Sequence, residues 1–367
     1  MKTRFYLFVT IVTIFLIGVI MVFNTTSAEV IDRGSEMQPY ISMGKQIAFC
    51  LFGVFASYLI YLFGYERLIQ HANILLGLSL ALLILVFVPK IGMHINGAHR
   101  WINCFGISLQ PSEFVKIVLP IFYLSLLKSA PKKLMFKRFL LWQFILLAPI
   151  ALIMIEPDNG TAAILLSTIV VLYFLTGIRW LYWVLPIIVV VCLGVTVGLS
   201  MRHVRDRIHI YLHPEADLLG KGHQPYQAKI AAGSGGLIGK GLGESLQKYN
   251  YLPEARSDYI AAIYAEEFGF IGILALILLY MAIAVFGFRI GIEAKDQEGY
   301  YLATTFTFMI ALQAFLNLGV VSGLLPSKGT NLPFFSQGGS SLLANIFMIA
   351  IIMNVQSKAN VCVKKLS

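Results

Sequence analysis

Charged side chains lie inside or beside long apolar stretches of this chain, where such groups are rare. They are Arg100, Glu113, Lys116, Glu156, Asp158, Glu254, Arg256, Asp258, Glu266, Glu267 and Lys328. A charge at the centre of a membrane helix costs at least about 2.5 kcal/mol, so such groups are usually paired or functional. Lysine and arginine bind phosphate or pyrophosphate, and a carboxylate held near them can act as a general base. The pattern therefore predicts a mixed-charge site for a substrate that carries anionic and hydroxyl groups.

Two features of this set have more than one interpretation. Glu113 and Lys116 are three residues apart, a spacing that also suits a structural ion pair within one helix. Three carboxylates, Asp158, Glu254 and Asp258, are each candidates for the base, because burial beside cations would set the pKa of any of them. The residues alone do not choose among the three.

The elements that position these groups are predicted to be membrane-spanning helices. Of the 367 residues, 58% are hydrophobic and only 13% are charged, whereas soluble domains are usually about 25% charged. A spanning helix needs about 20 mostly apolar residues. Such runs occupy residues 5–23, 46–64, 72–89, 113–127, 139–155, 160–177, 180–199, 259–288, 300–322 and 340–356. The sequence predicts an all-α polytopic membrane protein with about ten transmembrane helices and a single domain over residues 1–367.

Positive charge in the short loops predicts the orientation of these spans. With the N-terminus inside, 14 Lys and Arg residues fall in cytoplasmic segments, against five in the short outer segments. Both termini are therefore expected to be cytoplasmic. One large extracytoplasmic loop, about residues 200–258, is expected between helices 7 and 8. In this topology the candidate site charges lie on the outer side, which favours one shared outer cavity.

Several other chemistries are disfavoured. The glycine-rich segment 233–243 has Ser234 and Gly241 where a P-loop needs glycine and Ser or Thr. A tightly turning backbone is the favoured interpretation of that segment, and close approach to an anionic ligand is the alternative. The four cysteines and seven histidines show no metal-ligand spacing, so no metal-binding residue is assigned. The net charge of +10 lies in short stretches between apolar runs, which suits anionic lipid and not nucleic acid.

Five ordered motifs give the chain a resemblance to a known family. They read NGAHRW at 96–101, QPSEFVK at 110–116, EPDNGT at 156–161, YLPEARSD at 251–258 with AEEFG at 265–269, and LPSKG at 325–329 with SQGGSS at 336–341. In these residues and in their order, the chain resembles the SEDS family (shape, elongation, division and sporulation), whose members include FtsW, RodA and SpoVE.

The resemblance implies a peptidoglycan glycosyltransferase that polymerises lipid II into β-1,4 glycan strands on the outer face of the cytoplasmic membrane. It implies that Asp258 is the catalytic base, which takes the proton from the 4-hydroxyl of the acceptor sugar while undecaprenyl pyrophosphate leaves the donor. It also implies substrate-binding roles for Arg100, Glu113, Lys116, Asp158, Glu254, Arg256 and Lys328.

The resemblance further implies partners and a location. The expected partners are a class B penicillin-binding protein, lipid II, other division proteins and membrane lipid. No cofactor is assigned, and the sequence leaves open whether a divalent cation, Mg²⁺ or Mn²⁺, assists the pyrophosphate. The motif at 252–258 and the Lys328-Gly329 pair favour the division branch of the family over the elongation branch, and hence the septal inner membrane. His99, Asn159 and Gln337 depart from the residues usual in the family.

Two other functions are compatible with the predicted fold. A flippase that moves the lipid-linked precursor needs polar groups that face both sides of the membrane or lie near its midplane. A non-catalytic scaffold that recruits a penicillin-binding protein predicts that Asp258 is dispensable. The clustering of charges on the outer side favours the enzyme over both.

Overall fold

The structure, a computed structural model, describes most of the chain. The described residues are 2–33, 39–89, 91–95, 98–104, 107–131, 134–200, 205, 211–212, 220, 222–249, 252, 254–326 and 329–366. Lys328 and most of residues 201–221 in the expected outer loop lie outside this set.

Helices dominate the described residues. They are α1 (Lys2–Arg33), α2 (Pro39–Phe63), α3 (Tyr65–Gln70), α4 (Ala72–Leu85), α5 (Pro111–Lys128), α6 (Phe136–Ile155), α7 (Asn159–Leu175), α8 (Trp180–Ser200), α9 (His223–Ser234), α10 (Ile260–Ile292), α11 (Gln297–Val321) and α12 (Gly339–Leu366). Each of the ten predicted apolar runs coincides with one of them.

Six helices in the described part of the chain are long and apolar enough to cross a membrane: α1, α2, α6, α10, α11 and α12. Two more apolar helices, α4 and α7, are shorter. Helix α5 has 18 residues but carries Glu113, Lys116 and Lys128, and its length from Pro111 to Leu124 is almost entirely buried. The chain is therefore a multi-pass membrane protein with a partly polar interior.

A small sheet interrupts the helices between α4 and α5. Strands β1 (Gly92–Ile95), β2 (Ala98–Cys104) and β3 (Ile107–Leu109) pair antiparallel in the order β1-β2-β3. The prediction of an all-α chain is wrong for this segment, because strands of three to seven residues leave no long apolar run in the sequence. Buried Ile102 of β2 pairs with Gly92 on one side and Leu109 on the other. Strand β3 then leads through Gln110 into α5.

The glycine-rich segment packs into a kink in α10. Gly269 leaves the helical conformation there, with φ +63° and ψ −162°. Four backbone hydrogen bonds between the loop and α10 pair the backbone groups at the kink, two donated by each side. The N–H groups of Phe270 and Ile271 donate to the carbonyls of Gly236 and Leu237. The N–H groups of Lys240 and Gly241 donate to the carbonyls of Glu266 and Glu267, and all four distances are 2.9 to 3.1 Å.

This insertion requires glycine on both sides of the contact. A Cβ on Gly239 would overlap the backbone of residues 267–268, and a Cβ on Gly269 would overlap the backbone of residues 237–239. Both glycines also have positive φ, which other residues rarely adopt. The interpretation of the glycine-rich segment as a tightly turning backbone is confirmed.

Two buried carboxylates of α10 hold the same segment through their side chains. Glu266 accepts a bond from Lys240 Nζ at 2.6 Å. Glu267 forms an ion pair with buried Lys248 at 3.1 Å and accepts bonds from Asn24 of α1 at 2.6 and 2.8 Å. The segment that leads into α10 is thereby anchored at residue 248 and again at the start of the helix.

Candidate functional site

A polar cavity of about 630 Å³ lies at one end of the helical bundle. Its walls come from β2, the first turns of α5, α7 and α12, the C-terminal half of α11 and the segment that precedes α10. Six of the eight predicted site residues line it: Arg100, Glu113, Lys116, Asp158, Glu254 and Asp258. Residues more than 150 positions apart in the sequence thus meet in one place.

The other two predicted site residues are placed differently. The side chain of Arg256 is not part of the cavity lining, but its backbone carbonyl accepts a bond at 3.0 Å from the N–H of Gln337, which does line the cavity. Lys328 lies outside the described residues, and the following residue, Gly329, lines the cavity.

Glu113 and Lys116 form the ion pair that their spacing predicts. Lys116 Nζ lies 2.6 Å from Glu113 Oε2, and the two side chains are only 1% and 8% exposed. Lys116 also donates to Gln313 Oε1 of α11 at 3.2 Å. The bond from Lys116 to Gln313 joins α5 to α11. Both residues of the ion pair line the cavity, so the pair forms part of its wall.

Asp158 is bonded through both of its carboxylate oxygens. It caps α7 by accepting the N–H of Thr161 at Oδ1, 3.2 Å away. Its Oδ2 accepts from Gln110 at 3.0 Å and from Ser112 at 3.3 Å, both at the start of α5. Both carboxylate oxygens of Asp158 are therefore occupied by donors of the protein, and these bonds hold the starts of α5 and α7 together.

A hydrogen bond to the backbone carbonyl of Asp258 holds this residue in place, and its carboxylate faces the cavity. Its carbonyl accepts a bond from Asn317 Nδ2 at 2.8 Å, and the same amide donates to the carbonyl of Thr330 at 2.6 Å. Within the described residues, no hydrogen-bond donor contacts the carboxylate itself. A Cβ built on Gly329 would lie 2.8 Å from Asp258 Oδ2, so the absence of a side chain at 329 leaves room for this carboxylate.

The surroundings of Asp258 make it a stronger base than an ordinary aspartate. Burial and, to a smaller extent, the nearby charge of Glu254 together raise the pKa of its carboxyl from 3.8 to about 7, against the opposing effect of Arg100. Glu254 itself has a backbone φ of +58°, a strained conformation for a non-glycine residue. A pKa near neutral suits a general base, because the group can both accept and release a proton at physiological pH.

Arg100 is fixed against the turn between α6 and α7. Its Nε donates to the carbonyl of Glu156 at 3.1 Å, and its Nη2 donates to the carbonyl of Pro157. The side chain of Glu156 is fully buried, and burial raises the pKa of its carboxyl to about 8. Glu156 does not line the cavity. Arg100 does line it and supplies a positive charge to this wall.

Two uncharged polar residues that support the cavity were not among the predicted site residues: Gln313 lines it, and Asn317 binds the backbone carbonyls of two lining residues, Asp258 and Thr330. Gln313 and Asn317 of α11 are four residues apart in an otherwise apolar helix and are 2% and 1% exposed. That pattern of amides on one face of an apolar helix is the signal that could have identified them. Gln337, one of the departures from the family pattern, also lines the cavity.

The described carboxylates of the cavity include two that are held by partners within the protein. No group of three or more His, Cys, Asp or Glu side chains in the described part of the chain is arranged to hold a metal ion. Glu113 is paired with Lys116, and Asp158 accepts bonds from protein donors. These residues do not fit a metal held by the protein, and no reaction step is assigned to one.

These features define a multi-pass helical membrane protein whose helix ends surround one mixed-charge cavity. The chain belongs to the cell cycle protein family named for FtsW, RodA and SpoVE, which matches residues 4–361. The family predicted from the five motifs is confirmed.

Relatives and solved structures extend this match over nearly the whole chain. The chain is 35% identical over 345 residues to the probable peptidoglycan glycosyltransferase FtsW of Trichlorobacter lovleyi, covering 93% of this chain and 89% of that protein. It is 36% identical over 358 residues to the stage V sporulation protein E of Bacillus subtilis, covering 96% and 97%. Its fold is similar to a chain of a peptidoglycan synthase complex (TM-score 0.77, 24% identity, covering 96% and 97%). It is also similar to RodA of Thermus thermophilus (TM-score 0.67, 24% identity, covering 96% of each chain).

Proposed function

We propose that the chain is a peptidoglycan glycosyltransferase that polymerises lipid II into β-1,4 glycan strands on the outer face of the cytoplasmic membrane. The observation that carries the proposal is the Asp258 carboxylate, which faces a polar cavity beside the cations of Arg100 and Lys116. A relative that is 35% identical and carries the name peptidoglycan glycosyltransferase supports the reaction type.

In the proposed reaction, Asp258 takes the proton from the 4-hydroxyl of the acceptor sugar. The resulting oxygen attacks the anomeric carbon of the donor, the bond from that carbon to the pyrophosphate breaks, and undecaprenyl pyrophosphate leaves. Attack from the opposite face converts the α-linked donor into a β-1,4 linkage. Arg100 and Lys116 stabilise the negative charge that develops on the pyrophosphate.

The remaining site residues have supporting roles in this proposal. Glu254 adds to the effect of burial in raising the pKa of Asp258. Asp158 holds the cavity wall through its bonds to Gln110 and Thr161. Substrate contacts by Arg256 and Lys328 stay predictions from the sequence. The sequence leaves open whether a divalent cation assists the pyrophosphate, and no step of the proposed reaction requires one.

The proposed topology has ten spans, cytoplasmic termini and the cavity at the outer surface. The excess of Lys and Arg in the segments at the opposite end of the bundle supports this orientation. At that end, Lys128 pairs with Glu298 and Lys358 pairs with Glu66. A flippase would need a second polar site there or near the midplane, so the polymerase is the better supported function.

The proposed partner is a class B penicillin-binding protein that cross-links the new strands, and the proposed location is the division septum of the inner membrane with other division proteins. The similarity of the fold to a chain of a peptidoglycan synthase complex supports a partner of this kind. Relatives that are named FtsW support the division branch.

The proposed reaction makes Asp258 indispensable. The chain, purified with a transpeptidase-inactive class B partner, is expected to convert fluorescent lipid II into glycan ladders on a gel. Asp258→Asn should reduce the rate by at least about a hundredfold, the usual contribution of a general base. Glu293→Gln, an exposed change at the opposite end of α10, should leave the rate unchanged. Full-length ladders from the folded Asp258→Asn protein would refute the assigned role.

The raised pKa of Asp258 predicts the pH dependence of polymerisation. The base acts when it is deprotonated, so kcat/KM should rise with pH and level off above about 7. Glu254→Gln removes a negative neighbour, lowers the pKa of Asp258 and should move this rise to lower pH. Initial rates measured between acid and alkaline pH for both proteins test the assignment. A rise at the same pH in both proteins would show that another group is titrating.

Gly329 is predicted to set the position of the Asp258 carboxylate. In Gly329→Ala the new Cβ would meet Asp258 Oδ2 at 2.8 Å, and the flexible carboxylate would swing away with little effect on the fold. Because a displacement of about 1 Å can cost about a hundredfold in rate, kcat should fall strongly while the melting temperature stays near that of the wild type. Gly77→Ala, at a helical glycine with open space around it, is the matched control. Equal kcat values for the two variants would contradict this role.

A further inference from the structure

An apolar groove of about 370 Å³ runs along the outside of the bundle between α1 and α2, with residues of α12 completing its lining. One face of α1 contributes Arg4, Phe8, Ile11 and Phe15, and the matching face of α2 runs from Cys50 to Tyr61. We call this feature the Arg4 groove. Its lining is apolar along most of its length, and its polar side chains gather towards the Arg4 end.

The length of the Arg4 groove matches one leaflet of a bilayer. Arg4 and Phe15 are 11 residues apart in α1, which corresponds to about 16 Å along a helix. The hydrocarbon core of a bilayer is about 30 Å thick, so one leaflet provides about 15 Å. The groove therefore has the depth that one acyl chain occupies, with a cation where the headgroup begins.

The cation at the end of the groove has no anionic partner among the described residues. Arg4 lies with its guanidinium 5.7 Å from the centre of the Tyr61 ring, and no carboxylate of the described chain pairs with it. Tyr61 in turn donates to Ser357 of α12 at 2.8 Å, which fixes the ring beneath the guanidinium. Arg4 is thus held in place, and its charge is available to a phosphate.

The position of Arg4 distinguishes this groove from the catalytic cavity. Helix α12 lines the cavity at Ser341 and the Arg4 groove as far as Met353, about 18 Å further along the helix. A lipid seated in the groove therefore has its headgroup at the opposite membrane surface from Asp258. The lipid-linked substrate, whose pyrophosphate must reach the cavity, does not fit this orientation.

We propose that the Arg4 groove binds one acyl chain of an anionic phospholipid, whose phosphate contacts Arg4. The apolar lining excludes water from the chain, and the ion pair selects anionic lipids over zwitterionic ones. A bound lipid of this kind covers the junction of α1, α2 and α12.

The test measures lipid binding to the full purified chain by native mass spectrometry. The probes are palmitoyl-oleoyl phosphatidylglycerol and the zwitterionic phosphatidylcholine with the same acyl chains. Since one basic residue near the membrane surface contributes about 1 kcal/mol, the anionic lipid should bind about fivefold more tightly. Arg4→Gln should abolish this preference. Lys2→Gln, which removes an exposed charge two residues away that does not line the groove, should keep it.

A second pair of variants tests the groove itself. Val54→Trp fills the groove from an exposed position of α2 and should reduce the binding of both lipids, while Leu51→Trp, at an exposed position of α2 outside the lining, should not. The proposal is overturned if the wild type shows no preference for the anionic lipid, or if Lys2→Gln lowers the preference as much as Arg4→Gln. Equal binding to the two tryptophan variants, or stronger binding of a polyprenyl phosphate than of the phospholipid, would also overturn it.

Discussion

A polar group inside an apolar helical bundle must find its partners within the protein, and most of this structure follows from that constraint. The ion pair of Glu113 with Lys116 is nearly inaccessible to solvent, and Lys116 reaches across to Gln313 on another helix. Asn317 bonds two backbone carbonyls that belong to different segments, those of Asp258 and Thr330. The bonds from Lys116 to Gln313 and from Asn317 to Asp258 join elements that are distant in sequence. The bonds that satisfy these buried polar groups are thus the same bonds that hold the walls of the cavity together.

The backbone groups at the kink in α10 likewise find their hydrogen-bond partners within the protein. Gly269 breaks the helix, and the glycine-rich loop supplies the missing donors and acceptors. Because Lys248 is then fixed to Glu267, the segment that carries Asp258 is closed at both ends. Closing a short segment in this way limits the positions that its side chains can take. Lys248 and the start of α10 therefore hold the two ends of the segment that carries the proposed base.

This arrangement separates the two membrane surfaces chemically. At one end of the bundle, polar and charged groups surround a cavity that can hold sugar and pyrophosphate. At the other end, the described charges of Lys128 and Lys358 are paired, and an apolar groove ends at Arg4. One surface is therefore suited to chemistry on a lipid-linked substrate, and the other to contact with the lipid of the opposite leaflet.

Much of the helical layout could be predicted from the sequence, because a run of about 20 apolar residues has few alternatives to a membrane helix. The gathering of Arg100, Asp158 and Asp258 could also be anticipated, since topology places them on one side. The strands at 92–109 could not, because they are too short to leave a hydropathy signal. Nor could the choice of Asp258 over Asp158 be made from residue types. It depends on hydrogen bonds that occupy both oxygens of Asp158, and only the folded chain shows these.

The most direct test of the central claim is an experimental structure of the Asp258→Asn protein with lipid II bound. We expect that the pyrophosphate contacts Arg100 or Lys116, and that a sugar 4-hydroxyl lies within hydrogen-bond distance of the side chain at position 258. A sugar and pyrophosphate bound outside the cavity, or an acceptor hydroxyl that approaches a different carboxylate, would contradict it.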